Sequence, residues 1–198
     1  RAMKIFLLLV ASYLIGSIPF SYLAARCWKG IDIRNYGSGN VGTTNAWRNA
    51  GPIAGVLALA GDFGKGVLVI ILARQFGEPI VVATAGLAVL VGHSWPVFLE
   101  FKGGKMVATF IGVLTAISLP ASLITALTWG FVVLLTGYVS VGSIVAVSIT
   151  PFLAWGFNLE WPYLVLNILA AVLVIYKHIP NIRRLAGGSE PRIKRKFW

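Results

Sequence analysis

The chain has 198 residues, of which 17 are Lys or Arg and 6 are Asp or Glu, so its formal net charge is +11. It is 58% hydrophobic and only 12% charged, whereas soluble domains average about 25% charged residues. This composition excludes an ordinary soluble globule and a disordered basic tail. The basic residues lie among long apolar runs, which favours an integral membrane protein over a nucleic-acid-binding one.

Residues that hold metals or form disulfides are scarce. The single cysteine, Cys27, excludes an internal disulfide, and two histidines give no sign of a metal site. No metal or cofactor is predicted. The length fits one integral-membrane domain over residues 1–198, in which Arg1 and Ala2 before Met3 are interpreted as an addition to the natural chain.

The apolar runs predict an all-α polytopic protein with about seven transmembrane helices, several of them short or broken, and glycine-rich cytoplasmic loops. A cleavable signal peptide ending near Ala25 is disfavoured, because the first run is long and the following chain stays apolar. Prolines at most boundaries suit helix ends or first turns. The predicted spans are 4–25, 53–76, 79–93, 106–119, 121–136, 141–157 and 162–177.

Alternation of these spans predicts an orientation. With the N-terminus outside, the loops 26–52, 94–105 and 137–140 and the tail 178–198 all face the cytoplasm. Only Arg1, Lys4 and Arg74 among the basic residues then lie near the outer side. This asymmetry satisfies the positive-inside rule and places every polar, glycine-rich segment on one side.

The first polar segment, residues 37–48, contains a literal G-x-G-x-x-G. A dinucleotide fingerprint needs a preceding strand and a βαβ unit, and neither is predicted. Glycines followed by the start of a short helix can still offer backbone N–H groups to an anion. The alternative is a flexible loop with a solvated arginine. The candidate ligands here are Ser38, Gly39, Asn40, Gly42, Thr43, Asn45 and Arg48.

The second segment, Gly61 to Gly66, carries Asp62 and Lys65 within an apolar run. Their i, i+3 spacing permits an ion pair on a helix, so a buried pair that neutralises itself is one interpretation. The other is a phosphate clamp, because ionisable residues inside a span are costly and usually functional. A Walker loop is excluded by the glycine spacing. Three glycines favour a break in this span.

The third segment ends in Gly103, Gly104 and Lys105 before a predicted helix, which again places a cation and free amides at a helix start. Earlier aromatic residues in the segment suit a membrane interface, and His93 suits a structural role. Near the chain end, His178 and Asn181 lie about one turn apart. The basic run from Arg192 to Lys196 is expected to meet anionic membrane lipid.

Together these segments resemble the motifs of the bacterial acyl-phosphate:glycerol-3-phosphate acyltransferase family. The likeness spans nearly the whole chain. One departure is Met106, where the family is expected to have a small residue, usually glycine. The matching stretches are Ser38 to Arg48, Gly61 to Gly66, Gly92 to Lys105, and His178 with Asn181, Arg184, Gly188 and Glu190.

The resemblance implies an enzyme of phospholipid synthesis in the bacterial inner membrane. It would transfer a fatty acyl group from acyl phosphate to the 1-hydroxyl of glycerol 3-phosphate, giving 1-acylglycerol 3-phosphate and inorganic phosphate. Asp62, Lys65 and the amides near Gly61 would bind glycerol 3-phosphate, while the first segment would hold phosphate oxygens. Lys105, with Gly103 and Gly104, would stabilise charge on the acyl phosphate.

Three questions stay open at this level. His178 is the best side-chain candidate for a general base, with Asn181 orienting groups beside it, but a substrate phosphate oxygen could also accept the hydroxyl proton. A transporter for a phosphorylated solute is the competing class of protein, since broken helices can aim their N-termini at an anion. A membrane scaffold with a basic lipid-binding face would leave the glycine-lysine segments unexplained.

Overall fold

A computed structural model describes residues 1–193, and over that range the chain is all-helical with no β-strand. The basic residues Lys194, Arg195 and Lys196, expected to meet anionic lipid, lie outside the described residues. Two 3₁₀ turns occupy Ile33–Asn35 and Val97–Leu99. The α-helices are α1 (Ala2–Ser17), α2 (Phe20–Lys29), α3 (Thr43–Ala50), α4 (Pro52–Arg74), α5 (Pro79–Ser94), α6 (Val107–Ile117), α7 (Leu119–Thr136), α8 (Val139–Ser148), α9 (Thr150–Gly156), α10 (Trp161–Lys177) and α11 (Ile179–Ala186).

Five described segments are long and apolar enough to cross a membrane, and a sixth is obtained if α10 and α11, bent by 52°, count as one span. The five are Ala2–Lys29, Pro52–Arg74, Pro79–Leu99, Leu119–Thr136 and Val139–Gly156. The remaining predicted span, 106–119, corresponds to α6, which has 11 residues. Such a helix is about 16 Å long, half of the hydrocarbon thickness of about 30 Å. The multi-span helical architecture is confirmed, and the count of seven is not.

The first predicted span is interrupted where α1 ends and α2 begins. Ile18 adopts an extended conformation (φ −64°, ψ 115°), as expected for a residue that precedes proline. Pro19 then precedes α2. The break frees carbonyl groups at the end of α1, and these need hydrogen-bond partners because the membrane interior offers no water.

The predicted break in the second span is wrong, because α4 runs without interruption from Pro52 to Arg74. Its glycines serve close packing instead. A Cβ atom on Gly61 would lie 2.2 Å from the ring of Phe20, and one on Gly66 would lie 2.3 Å from the carbonyl oxygen of Thr109. Small residues at such contacts let membrane helices approach closely. The glycines of this segment therefore mark helix–helix contacts of α4.

Glycines also permit close packing of α1 against α5. A Cβ atom on Gly16 would lie 2.3 Å from the carbonyl oxygen of Val89, and one on Gly92 would lie 2.2 Å from that of Tyr13. Close approach of helix backbones is thus built into the central part of the bundle. It fixes α1, α4, α5 and α6 around a common interior.

Two buried apolar clusters form that interior. The larger one unites α4, α5, α6 and α10 through side chains such as Ile70, Leu90, Phe110 and Val174. The smaller cluster includes Ile33, Val41 and Leu99 together with residues of α2, α3 and α4. Large apolar side chains on α7, including Leu127 and Phe131, point outward, as expected for a face that meets lipid.

Candidate active site

Four polar side chains are buried where α4 meets α1, α2 and α5, and we call them the buried ion-pair cluster: Ser21, Asp62, Lys65 and His93. Lys65 Nζ lies 2.9 Å from Asp62 Oδ1, and each side chain is only 2% exposed. Ser21 Oγ donates to Asp62 Oδ2 at 2.9 Å. His93 Nδ1 lies 3.3 Å from Asp62 Oδ1. The continuous helix α4 therefore carries the ion pair that its i, i+3 spacing predicts.

Lys65 also donates hydrogen bonds to carbonyl groups that are left without helical partners at the break between α1 and α2. Its Nζ donates to the carbonyl oxygen of Gly16 at 2.9 Å and to that of Ile18 at 3.0 Å. Its contact with Asp62 is an ion pair, and Asp62 Oδ1 has no hydrogen-bond partner among the described residues. A phosphate group reaching Lys65 would therefore compete with two carbonyl oxygens and a carboxylate.

A small pocket of about 10 Å³, with room for about one water molecule, opens beside this cluster. Its wall combines the backbone of residues 16–19 with Val41, Pro96 and Gly103, and Asp62, Lys65 and His93 complete it. The pocket thus touches all three glycine-rich segments that the sequence singles out. A small ligand at this place would have to widen the pocket, because ligand pockets are typically much larger.

A second polar group, the Lys105 cluster, consists of Lys105, Asn181, Arg184 and Glu190. Lys105 Nζ donates to Asn181 Oδ1. The amide nitrogen of Asn181 donates to Glu190 Oε1 at 2.7 Å, and Arg184 Nε donates to Glu190 Oε2 at 2.8 Å. Lys105 precedes the start of α6, so it adds its charge to the amides of that helix terminus.

The environment of Lys105 weakens its hold on a proton. Burial lowers the pKa of Lys105 to about 8, against an ordinary value of 10.5. The carboxylate of Glu190 opposes this shift, while the positive charges of Arg184, Lys177 and Arg48 add to it. Four charged groups, from α3, α10, α11 and the following segment, thus surround this one amine. The group is suited to stabilising negative charge on a bound anion.

The first segment is organised by Asn45. Its side-chain nitrogen donates to the carbonyl oxygens of Ile33, Tyr36 and Asn40, and its Oδ1 accepts from the backbone N–H of Ser38 at 3.2 Å. The Asn45 side chain is buried and its bonding capacity is used within the loop. Asn45 therefore shapes the loop that carries Ser38 and Gly39.

Other members of this segment remain available to a ligand. Ser38 and Arg48 are exposed, and Arg48 reaches the carbonyl oxygen of Pro191 at 3.5 Å. Thr43 Oγ1, in the first turn of α3, is buried and has no hydrogen-bond partner among the described residues. A buried hydroxyl without a partner is costly. These groups are the part of the segment best placed to meet an added anion.

Gly103 and Gly104 bring the third segment against its neighbours. A Cβ atom on Gly103 would lie 2.2 Å from the carbonyl oxygen of His93, and one on Gly104 would lie 2.2 Å from His93 Nε2 and 2.5 Å from the carbonyl oxygen of Val41. Larger residues would push the segment away from α5 and from the first loop. The two glycines therefore allow the segment before Lys105 to pack closely against His93 of the buried ion-pair cluster.

Met106, the departure noted in the sequence, lies in the left-handed region with φ 56°. This conformation is easily adopted by glycine and costs other residues about 1–2 kcal/mol. The Met106 side chain is fully buried in the larger apolar cluster. It packs into the core rather than narrowing the approach to Lys105.

His178 joins α10 to α11 and is buried. Its Nδ1 lies 2.8 Å from the carbonyl oxygen of Val174. Because a carbonyl only accepts, Nδ1 carries the hydrogen, and Nε2 of the neutral ring keeps a free lone pair. The ring therefore has the tautomer that a general base at Nε2 requires.

The structure places the candidate residues in separate groups with different contacts. Lys105 and Asn181 are in contact, with Arg48 close by, while Asp62 and Lys65 form a separate buried pair. Gly42 lies against Asn40, and Gly61 packs on α2. Ser21 was not predicted, because a serine in an apolar helix is common and no motif marks it. Lys177, whose Nζ lies 3.2 Å from the carbonyl oxygen of Ser94, stood out only as a basic residue at a span end.

Long apolar helices, small-residue contacts between them and two partly buried polar clusters define an integral membrane protein. The family model described as glycerol-3-phosphate acyltransferase matches residues 6–188. The chain is 48% identical over 187 residues to glycerol-3-phosphate acyltransferase 2 of Moorella thermoacetica, covering 94% of this chain and 96% of that one. It is 44% identical to the glycerol-3-phosphate acyltransferase of Desulforudis audaxviator, covering 96% of each.

Solved structures agree with these relatives. The fold matches a crystal structure of PlsY (YgiH), an integral membrane glycerol 3-phosphate acyltransferase, in its glycerol 3-phosphate form, with a TM-score of 0.92, 39% identity and 96% coverage of each chain. The lysophosphatidic acid form of PlsY matches with a TM-score of 0.90, 38% identity and coverage of 96% and 95%. The chain belongs to the glycerol-3-phosphate acyltransferase family and is an acyltransferase of lipid synthesis.

Proposed function

We propose that the chain transfers a fatty acyl group from acyl phosphate to the 1-hydroxyl of glycerol 3-phosphate, releasing 1-acylglycerol 3-phosphate and inorganic phosphate. The observation that carries this proposal is the Lys105 cluster at the start of α6, where an ammonium group faces the other cationic groups of the site. Such a site suits two phosphate-bearing substrates. Acyl phosphate supplies its own leaving group, so the reaction needs no enzyme nucleophile.

In this mechanism Lys105 stabilises the negative charge that grows on the acyl phosphate as the bond to phosphate breaks. Arg48, Ser38 and Thr43 are assigned to phosphate oxygens, with the amides near Gly39, Asn40, Gly42, Gly103 and Gly104 beside them. Asp62 and Lys65 line the pocket. We assign them a structural role in shaping it, because they contact each other and the carbonyls of Gly16 and Ile18.

The hydroxyl of glycerol 3-phosphate must lose a proton as it attacks the acyl carbon. Either Nε2 of His178 or a phosphate oxygen of a substrate accepts it. Replacing His178 by Ala separates the two routes. If the imidazole is the base, kcat falls about 10²–10⁴-fold, whereas fully retained turnover assigns the proton to the substrate.

The reaction is tested directly with detergent-purified protein. The protein is incubated with acyl phosphate and glycerol 3-phosphate, and lysophosphatidate and released phosphate are measured together. Parallel reactions with acyl coenzyme A or acyl carrier protein in place of acyl phosphate identify the donor. Equal amounts of the two products with acyl phosphate alone support the proposal, and product formed only from a thioester donor overturns the choice of donor.

The competing proposal, transport of a phosphorylated solute, is tested in the same preparation after reconstitution into vesicles. Uptake of labelled glycerol 3-phosphate without any acylated product would favour it. The groups assigned to the substrates, Arg48, Lys105 and Asn181, lie in loops or near helix ends, whereas transporters bind their substrates near the middle of the membrane. That placement favours the enzyme.

We also propose that the N-terminus faces outward and that the site and the chain end face the cytoplasm of a bacterial inner membrane. The positive-inside rule supports this orientation. Cys27 is exposed near the end of α2, beside the predicted cytoplasmic loop, and it is the single cysteine in the sequence. A membrane-impermeant thiol reagent should label it in inverted vesicles and leave it unlabelled in intact cells. The reverse pattern would invert the proposed topology.

A further inference from the structure

Glu190 is one of 6 acidic residues in a chain of net charge +11, and its carboxylate is turned inward. Its side chain is only 6% exposed. Both oxygens are used, one by the amide of Asn181 and the other by Arg184. A buried glutamate within a basic site needs an explanation, because its negative charge offsets the positive charge that is expected to attract anions.

The chain is built to return Glu190 to this position. After α11, Gly188 takes a left-handed conformation with φ +70°, and Ser189 N–H donates to the carbonyl oxygen of Arg184 at 2.8 Å. Beyond the turn, Ile193 N–H donates to the carbonyl oxygen of Gly137 at 2.9 Å. The segment that carries Glu190 is thus held at both sides, against α11 and against the turn between α7 and α8.

The contacts of Asn181 explain what the carboxylate does. A carboxylate only accepts hydrogen bonds, so the amide nitrogen of Asn181 must face Glu190. An ammonium group only donates, so the amide oxygen must face Lys105. The amide therefore has one orientation that satisfies both neighbours, and Glu190 is the group that selects it. Without that carboxylate, the amide is free to turn its nitrogen towards Lys105, where it would meet another donor.

Glu190 also acts on Lys105 through its charge. The charged and titratable groups around the Lys105 amine are Arg48 from α3, Lys177 from the end of α10, His178, Arg184 from α11 and Glu190. Glu190 is the only acid among these five, so its carboxylate alone favours the protonated amine.

We propose that Glu190 is a positioning residue for the acyl transfer reaction, which holds the Asn181 amide in the orientation that binds Lys105 and keeps the Lys105 amine charged. This inference rests on the proposed role of Lys105. It gives the inward-facing acid a function that requires no contact with substrate.

The first test is a double-mutant cycle on kcat with acyl phosphate and glycerol 3-phosphate. Glu190→Ala should lower kcat by about ten- to a hundredfold, the range for losing a hydrogen bond to a charged group. At a pH well below 8, where the Lys105 amine stays protonated, the same change should have little further effect in an Asn181→Ala background, because the two residues then act as one unit. Glu160→Gln, at an exposed glutamate before α10, is the matched control and should leave kcat unchanged. Equal effects of Glu190→Ala in both backgrounds would overturn the proposal.

The second test separates positioning from simple loss of fold. Glu190→Gln keeps an acceptor oxygen and the side-chain shape but removes the charge, so the alkaline limb of its pH–kcat profile should move to lower pH than in the unchanged chain. A merely structural role would lower the rate without moving that limb. An unmoved limb in a folded Glu190→Gln variant would contradict the proposal.

A third readout does not depend on catalysis. The pH dependence of acetylation of Lys105 by acetic anhydride, followed by mass spectrometry, reports the protonation of that amine directly. Glu190→Gln should lower the pH at which Lys105 becomes half-reactive, while Glu160→Gln should not. If no acyl transfer is found in the unchanged chain, the proposed function fails, yet this readout still decides whether Glu190 controls Lys105.

Discussion

Lys65 and Lys105 are the same residue type, each near glycines in an apolar chain, but the fold treats them differently. Lys65 is nearly fully buried and contacts Asp62 and two carbonyl oxygens at the break between α1 and α2. Lys105 is only partly buried, and its contact with Asn181 lies beside the exposed Arg48. Lys65 therefore contacts partners within the protein, whereas Lys105 is the lysine to which the proposed reaction assigns a substrate.

The difference lies in what neutralises each charge. Lys65 has its own carboxylate at i−3, so its cost of burial is offset inside the protein. Lys105 has no acid of its own and shares Glu190 with Arg184 and Asn181. A phosphate group would therefore complete the surroundings of Lys105 but would compete with existing partners at Lys65. Four measurements can test this contrast.

The largest effect is expected from Lys65→Met. Removing one partner of a buried ion pair costs about 3–5 kcal/mol. Here it also removes the Lys65 donor from the carbonyl of Gly16, while the carbonyl of Ile18 keeps the N–H of Phe20. The midpoint of thermal unfolding in detergent should fall sharply. The double variant Asp62→Asn with Lys65→Met should recover part of that loss, because no unpaired charge remains. An unchanged unfolding midpoint with a raised KM for glycerol 3-phosphate would instead make Lys65 a phosphate ligand.

Lys105→Ala should leave the unfolding midpoint nearly unchanged and act on the rate. Loss of one group that stabilises transition-state charge lowers kcat by about 10²–10³-fold. Lys102→Ala is the matched control, since Lys102 lies three positions earlier and forms only an exposed ion pair with Glu100 at 3.5 Å. Near-normal kcat at saturating concentrations of both substrates would remove Lys105 from the reaction.

The pH dependence of kcat should reflect the pKa of Lys105, which burial lowers to about 8. The amine is protonated below that pH, so activity should be retained there and decline as the pH rises through about 8. Lys105→Arg keeps its charge at any pH used, so the decline should disappear even if the rate is lower. A decline that persists in the arginine variant would assign it to another group.

The smallest effect concerns the backbone just after Lys105. Met106→Gly relieves a left-handed strain of about 1–2 kcal/mol but loses a buried side chain, a change that costs about 2–5 kcal/mol for methionine. Met106→Ala loses the side chain and keeps the strain. The unfolding midpoints should therefore rank the unchanged chain above Met106→Gly, and Met106→Ala last. An alanine variant as stable as the glycine variant would show that the conformation at residue 106 carries no strain.

The sequence predicted the helical class, most span positions and the gathering of polar segments, because apolar length and proline placement are local signals. Pro52, Pro79 and Pro162 do lie in the first turns of α4, α5 and α10. The predicted break near Gly64 was wrong. In a sequence, a glycine that permits close helix packing cannot be distinguished from a glycine that permits a turn. Only the structure shows that Gly61 faces Phe20 and Gly66 faces α6.

The site was harder to predict than the fold. An i, i+3 spacing indicated that Asp62 and Lys65 could pair, but it could not show the carbonyls of Gly16 and Ile18 that complete the bonding of Lys65. Those contacts join positions far apart in the chain. The contact between Lys105 and Asn181 is equally distant in sequence, and no local pattern indicates it.

The shortness of α6 sets the depth of the reaction. A Cβ atom on Gly112 would lie 2.1 Å from the carbonyl oxygen of Phe63, and one on Gly66 would lie 2.3 Å from that of Thr109, so α6 packs against the middle of α4. Helix α6 is about 16 Å long and α4 about 34 Å, at 1.5 Å per residue. Each end of α6 therefore lies roughly 9 Å short of an end of α4. In the proposed reaction, this recess before α6 lets the polar headgroups meet the acyl phosphate while the acyl chain stays in the hydrocarbon layer.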